Sequence, residues 1–61
     1  MRYSELTQKL KKAGCYIVRD GSRHDIWYSP ITGKKFPVGR HKTQEVPPGT
    51  LKNILQDSGL K

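Results

Sequence analysis

A small α+β domain in the order α-β-β-β-α is predicted by three features of this sequence. Both ends carry apolar residues at three- and four-residue spacing. The middle carries three short segments rich in β-branched and aromatic residues, and glycine or proline marks the junctions. Two amphipathic helices need a common surface to cover, and one face of a three-stranded antiparallel sheet offers it. The other sheet face is then left to solvent or to a partner.

The first helix is expected over YSELTQKLKKAG, with Ser4 as N-cap, Glu5 in the first turn, and Lys11 and Lys12 in the last. Tyr3, Leu6, Leu10 and Ala13 form its apolar stripe, and Gly14 ends it in a left-handed conformation. CYIVRD reads as a strand closing at Asp20-Gly21. HDIWYS reads as a second strand, with His24, Ile26 and Tyr28 on one face and Asp25, Trp27 and Ser29 on the other. PITGKK is a hairpin turn in which Gly33 supplies the positive φ, and KFPV is a short third strand whose Pro37 places it at a sheet edge. GRHKTQEVPPG is a polar loop. A second helix follows over PPGTLKNILQDSG, with proline in its first turn, Leu51, Ile54 and Leu55 as its stripe, and Gly59 as its stop.

Sixty-one residues are read as one domain, 1–61, with a small core and marginal stability. Such a chain can hold a surface site but hardly a deep pocket around a large cofactor, and none is expected. Twelve Lys and Arg against five Asp and Glu give a net charge of +7. Self-repulsion at that density opposes compaction and an anionic partner relieves it, nucleic acid first among the candidates. A membrane role is not expected: no apolar run approaches the roughly 18 residues needed to span a bilayer. The first fifteen residues also lack the apolar stretch and cleavage site of a signal peptide. The lone Cys15 excludes an internal disulfide, fits a reducing cytosol, and reads as packing.

Two histidines carry the chemistry that is open to this chain. Histidine exchanges a proton near neutrality, its ordinary pKa being about 6.5. Metal-free RNA cleavage needs a base for the attacking hydroxyl, an acid for the leaving oxygen, and cations for the charged phosphorane. His24 stands beside Arg23, with Arg19 upstream and Lys34 and Lys35 beyond the hairpin, while Asp25 acts on it in the opposite sense to these cations. His41, between Arg40 and Lys42, is the candidate for a second acid or base. Taken alone, His24 reads first as a surface residue, and His41 as a loop residue that helps bind phosphate or orders the loop. The spread of lysine and arginine over several elements predicts salt-sensitive, sequence-blind phosphate binding. Trp27 and Tyr28 face opposite ways, so one packs in the core and the other is free to meet a base or a partner. There is no Cys/His cluster at metal spacing and no P-loop pattern. Ser22 and His24 have no third group to orient them as a nucleophile pair.

KKAGCYIVR, RHDIWYSPITGKKFPV, VGRHK and PPGTLKNILQDSGL, taken together and in this order, resemble HicA-type mRNA-interferase toxins of bacterial type II toxin–antitoxin pairs. The resemblance covers nearly the whole chain. It implies a fold similar to double-stranded-RNA-binding domains, metal-independent endoribonuclease activity on mRNA in the bacterial cytoplasm, and inhibition by a HicB-type antitoxin. The catalytic histidine of the family usually follows Gly-Ser and precedes an apolar-aromatic pair. Alignment on Ile26-Trp27 puts His24 at that position, where this chain reads Gly-Ser-Arg-His. Arg23, Lys34, Lys35, Arg40 and Lys42 are then the expected phosphate-binding residues. Two rivals remain open: a double-stranded-RNA-binding module that does not cut, and an inactive toxin fold that only binds its antitoxin.

Overall fold

The computed structural model describes residues 1–60. Its elements are α1 (Tyr3–Lys12), β1 (Tyr16–Asp20), β2 (His24–Tyr28), β3 (Lys35–Gly39) and α2 (Pro48–Ser58), the predicted order. The strands form one antiparallel sheet with β2 in the centre. Pro37, which has no N–H to donate, lies on the edge strand β3 as expected.

Alternation along β2 decides which face is covered. Trp27 and Ser29 are buried, and Phe36 and Val38 of β3 are buried with them. These side chains meet Leu6 and Leu10 of α1 and Ile54 of α2 in one core, which Cys15 and Val46 complete. Trp27 thus belongs to the helix side, and Cys15 packs as the sequence predicts. Both helices lie on this face, while His24, Ile26 and Tyr28 point away from it.

The coverage is uneven. Every residue of β1 is exposed, including Ile17, whose cross-strand partner is the buried Trp27. The helices therefore roof β2 and β3 and leave β1 as an open edge. A β-bulge at Val18 interrupts that edge: Ile17 pairs with Trp27, but Arg19, not Val18, pairs with Ile26. A bulge twists an edge strand and makes it a poorer template for a further strand.

Both helices end as their glycines predict. Cys15 N–H donates to the Leu10 carbonyl and Gly14 N–H to that of Lys11, with Gly14 at φ 92°. Leu60 and Gly59 repeat this pattern on Leu55 and Gln56. The start of α1 differs from the sequence reading. Arg2, not Ser4, is the N-cap, and no side-chain cap is needed because the loop after β3 returns alongside it. Tyr3 N–H donates to the Gln44 carbonyl and Ser4 N–H to that of Lys42, both at 3.1 Å, while the Glu5 carboxylate accepts Arg2 N–H. These bonds satisfy helix N–H groups that have no intrahelical partner. The Met1 ammonium bonds Glu45 at 2.9 Å and holds its carboxyl below the usual carboxylate range.

A second tie joins the β2–β3 hairpin to the end of α2. The buried Ser29 hydroxyl donates to the Ser58 carbonyl at 2.6 Å and accepts Ile31 N–H, and the Thr32 hydroxyl donates to the Asp57 carbonyl. A Cβ at Gly59 would stand 2.7 Å from Ile31 Cγ2, at a position whose φ is already +80°.

Substitutions at three positions test this packing. Trp27→Ala should lose about 3–5 kcal/mol in urea unfolding, near the whole stability of so small a domain, whereas Trp27→Phe should remain folded. Gly59→Ala should destabilise by more than about 1 kcal/mol. Gly49→Ala, inside α2 with no atom within 4 Å of the added methyl, should stabilise by up to about 1 kcal/mol in the same assay.

Candidate active site

His24 opens β2, directly after the turn from β1. The turn is tight because Gly21 backs onto the histidine's own main chain. A Cβ at residue 21 would lie 2.0 Å from the His24 carbonyl oxygen, so only glycine fits there. That glycine is the local signal for a chain reversal that ends in a presented histidine. The backbone of His24 pairs with Gly39, and its ring is exposed on the face away from the helices. The ring makes no hydrogen bond to another described residue, so both nitrogens are open to an incoming group. His24 also borders a cleft of about 420 Å³ that passes Pro37 and Gly39 to Tyr3 of α1 and to Thr50, Asn53 and Asp57 of α2.

The cations divide into two groups. Arg23 precedes His24 and is exposed, and Arg19 shares its face through the pairing with Ile26. Arg40, His41 and Lys42 follow Gly39, the cross-strand partner of His24, and so gather at the same end of the sheet. His41 lies two residues past that partner, a reach of at most ~7 Å along the chain. Its carbonyl accepts Gln44 N–H, and the loop is tied to α1 through Lys42 and Gln44, so the segment carrying His41 is anchored. Lys34 and Lys35 are elsewhere. Lys35 pairs with Tyr28, four residues along β2 from His24, about 13 Å at strand spacing. The grouping of these two lysines with His24 in the sequence reading is thus corrected: the hairpin carries them to the opposite end.

Asp25 does not act beside His24 as the sequence reading supposed. Its side chain is on the helix side, where one carboxylate oxygen accepts from both Nε and Nη2 of Arg40 at 2.7 Å. Asp20, the cross-strand partner of Asp25, stands 3.9 Å from the same guanidinium. The Asp25 hydrogen bond holds Arg40 still further from deprotonation than an ordinary arginine. Arg40 is therefore largely matched in charge, although 43% of its side chain remains exposed. This pair was missed in the sequence, yet a signal for it existed. Asp25 is two residues from the buried Trp27 on the covered face of β2, and a carboxylate placed so needs a cation.

An exposed imidazole among exposed cations can move a proton at a phosphate that reaches it from solvent. Among the described residues there is no group of three or more His, Cys, Asp or Glu that could hold a metal ion, and no helix is long and apolar enough to cross a membrane.

The comparisons with known proteins bear on the same chain. No curated protein and no solved structure matches it. A family model described as the HicA toxin of bacterial toxin–antitoxin systems matches residues 3–60, from the first residue of α1 to the residue after Gly59. That span takes in the glycine turn, His24, the anchored loop and both helix stops, and such a family implies an antitoxin partner. On a match over nearly its full length, the chain belongs to the HicA toxin family.

Proposed function

We propose that this toxin is an endoribonuclease that cleaves mRNA without a metal ion in the bacterial cytoplasm, with His24 as general acid/base. The observation that carries the reading is the presentation of His24: an unencumbered, exposed imidazole on the uncovered sheet face, held by a glycine turn beside Arg23. In the reaction, the 2′-hydroxyl gives its proton to a base and attacks the adjacent phosphorus. The bond to the 5′-oxygen breaks, and that oxygen takes a proton from an acid. His24 serves one of these steps, and His41, at the same end of the sheet, is the candidate for the other. Arg23 and Lys42 neutralise the phosphorane, while Arg40, matched by Asp25, contributes less to the phosphate and more to holding the loop. Lys34 and Lys35 hold RNA at a distance from the cut.

A HicB-type antitoxin that lies over the His24 end of the sheet would block RNA from the site. The net charge of +7 speeds its capture if the antitoxin is acidic, since complementary charge raises association rates more than final affinity.

Purified protein, free of any partner, should cleave a long single-stranded RNA in EDTA. His24→Ala, folded by circular dichroism, should be slower by about 10²–10⁴-fold, the usual worth of a general acid or base. His41→Ala should slow cleavage only if it supplies the second proton transfer. Equal cleavage by wild type and His24→Ala would refute the assignment of His24. Salt-sensitive binding with no cleavage by either protein would favour a module that binds RNA without cutting it.

A further inference from the structure

We propose that the uncovered sheet face is a track for single-stranded RNA, with Tyr16 and Tyr28 as a platform on which bases stack. The proposal rests on the reading of His24 as the cleaving group and extends it to the substrate strand.

Three rungs make up this face. Lys35, Tyr28 and Tyr16 are cross-strand neighbours at one end, Pro37, Ile26 and Arg19 in the middle, and Gly39 and His24 at the other. The Tyr16 and Tyr28 rings lie 5.5 Å apart at 51°, and Tyr16 remains 52% exposed. The partly buried Tyr28 ring thus packs beside a Tyr16 ring that is half open to solvent, which leaves Tyr16 the main stacking surface. Lys35 adjoins them across the sheet, and Lys34 stands next to it in the hairpin turn.

Charge on this face has one sign. None of the strand residues on this face is acidic, and of the five acids only Asp57 of α2 comes near it, lining the cleft that His24 borders. Asp20 and Asp25 point to the helix side around Arg40, Glu5 and Asp57 are on the two helices, and Glu45 is in the loop held by Met1. Away from that cleft the face therefore offers cations and aromatic rings with no carboxylate to repel a phosphate. The histidine at one end and the rings at the other, about 13 Å apart along β2, give a single strand two points of hold on one surface. Bases of a single strand can splay out and stack on aromatic side chains, which bases inside a duplex cannot do. Alternation of rings and cations along a groove is the arrangement that binds single strands with little sequence preference. Lys34 and Lys35, remote from His24, gain a role in this arrangement as holders of the flanking phosphates.

The test is a titration of His24→Ala protein in EDTA into a short fluorescein-labelled single-stranded RNA, followed by anisotropy. Adding Tyr16→Ala should weaken binding about 5- to 150-fold, the range for loss of one stacked base, and Tyr16→Phe should restore most of it. Duplex RNA should be bound no worse by Tyr16→Ala than by the parent. Abasic positions in the single strand should weaken parent binding by a similar factor, a readout that holds even if Tyr16→Ala folds poorly. Binding of single strands by folded Tyr16→Ala within about twofold of the parent would overturn the platform and leave the face to a protein partner. Equal weakening on single strand and duplex would also overturn it, because a phosphate contact and not stacking would have been lost. Cleavage by wild type and its loss in His24→Ala are read separately on the same RNA, so failure of the catalytic reading is distinguishable from failure of the platform.

Discussion

Burial of Trp27 is the constraint on which the rest of the structure depends. Once this side chain enters the core from the central strand, period-two alternation sends His24, Ile26 and Tyr28 to the opposite face. A one-residue slip would bury the histidine and expose the tryptophan, so register and the presentation of His24 are tied to the same contact. Phe36, opposite Trp27, and Val38, opposite Asp25, repeat this choice on β3, and the two helices then have a single surface to cover. The uncovered face is therefore a consequence of making a core from so few residues. It is the sheet face that the helices leave open, and they reach it only at the cleft beside His24.

The charge of the chain is arranged on this frame more economically than its total implies. Five acids cannot neutralise twelve cations, but three of them are placed where a loose cation or terminus would weaken the fold. Asp25 and Asp20 hold Arg40 at the start of the long loop, and Glu45 holds the Met1 ammonium near its end. Backbone hydrogen bonds from Tyr3 and Ser4 fasten the same loop between these points. The loop bearing His41 and Lys42 is thus a built segment that also finishes the first helix. What remains uncompensated includes the cationic charge around His24 and the hairpin as well as the lysines of the two helices, and this is the charge that a polyanion or an acidic partner would meet.

Two glycines have comparable influence on the site. Gly21 lets the main chain fold back onto the His24 carbonyl, and Gly59 lets the end of α2 meet the β2–β3 hairpin through Ile31. The first sets where the histidine emerges. The second, with Ser29 and Ser58, sets where the hairpin and its lysines sit. His24 and Tyr28 lie at the two ends of β2, so the separation between His24 and the Tyr16–Tyr28 pair is set by the length of the strand.

Much of this was written in local pattern. The order of elements, the alternation along HDIWYS, the edge position of KFPV and the stops at Gly14 and Gly59 depend on neighbours a few residues apart, which is the range that periodicity and turn chemistry report. The exposed position of His24 at the start of β2 was legible through its place before Ile26-Trp27, and its proposed role rests on the family resemblance. Other features depended on residues far apart in the chain, and only tertiary structure decided them. Trp27, not Tyr28, went inward because the helices closed on that side. Ser4 yielded the cap to Arg2 because residues 42–45 came alongside to take the first N–H groups. Asp25 turned from His24 to Arg40, fifteen positions away, because its face of the strand was the covered one. Lys34 and Lys35 parted from His24 because a hairpin puts its turn at the far end of the strands it joins. Local sequence determined which elements form and which residues share a face; long-range packing determined which face is buried and which charges meet.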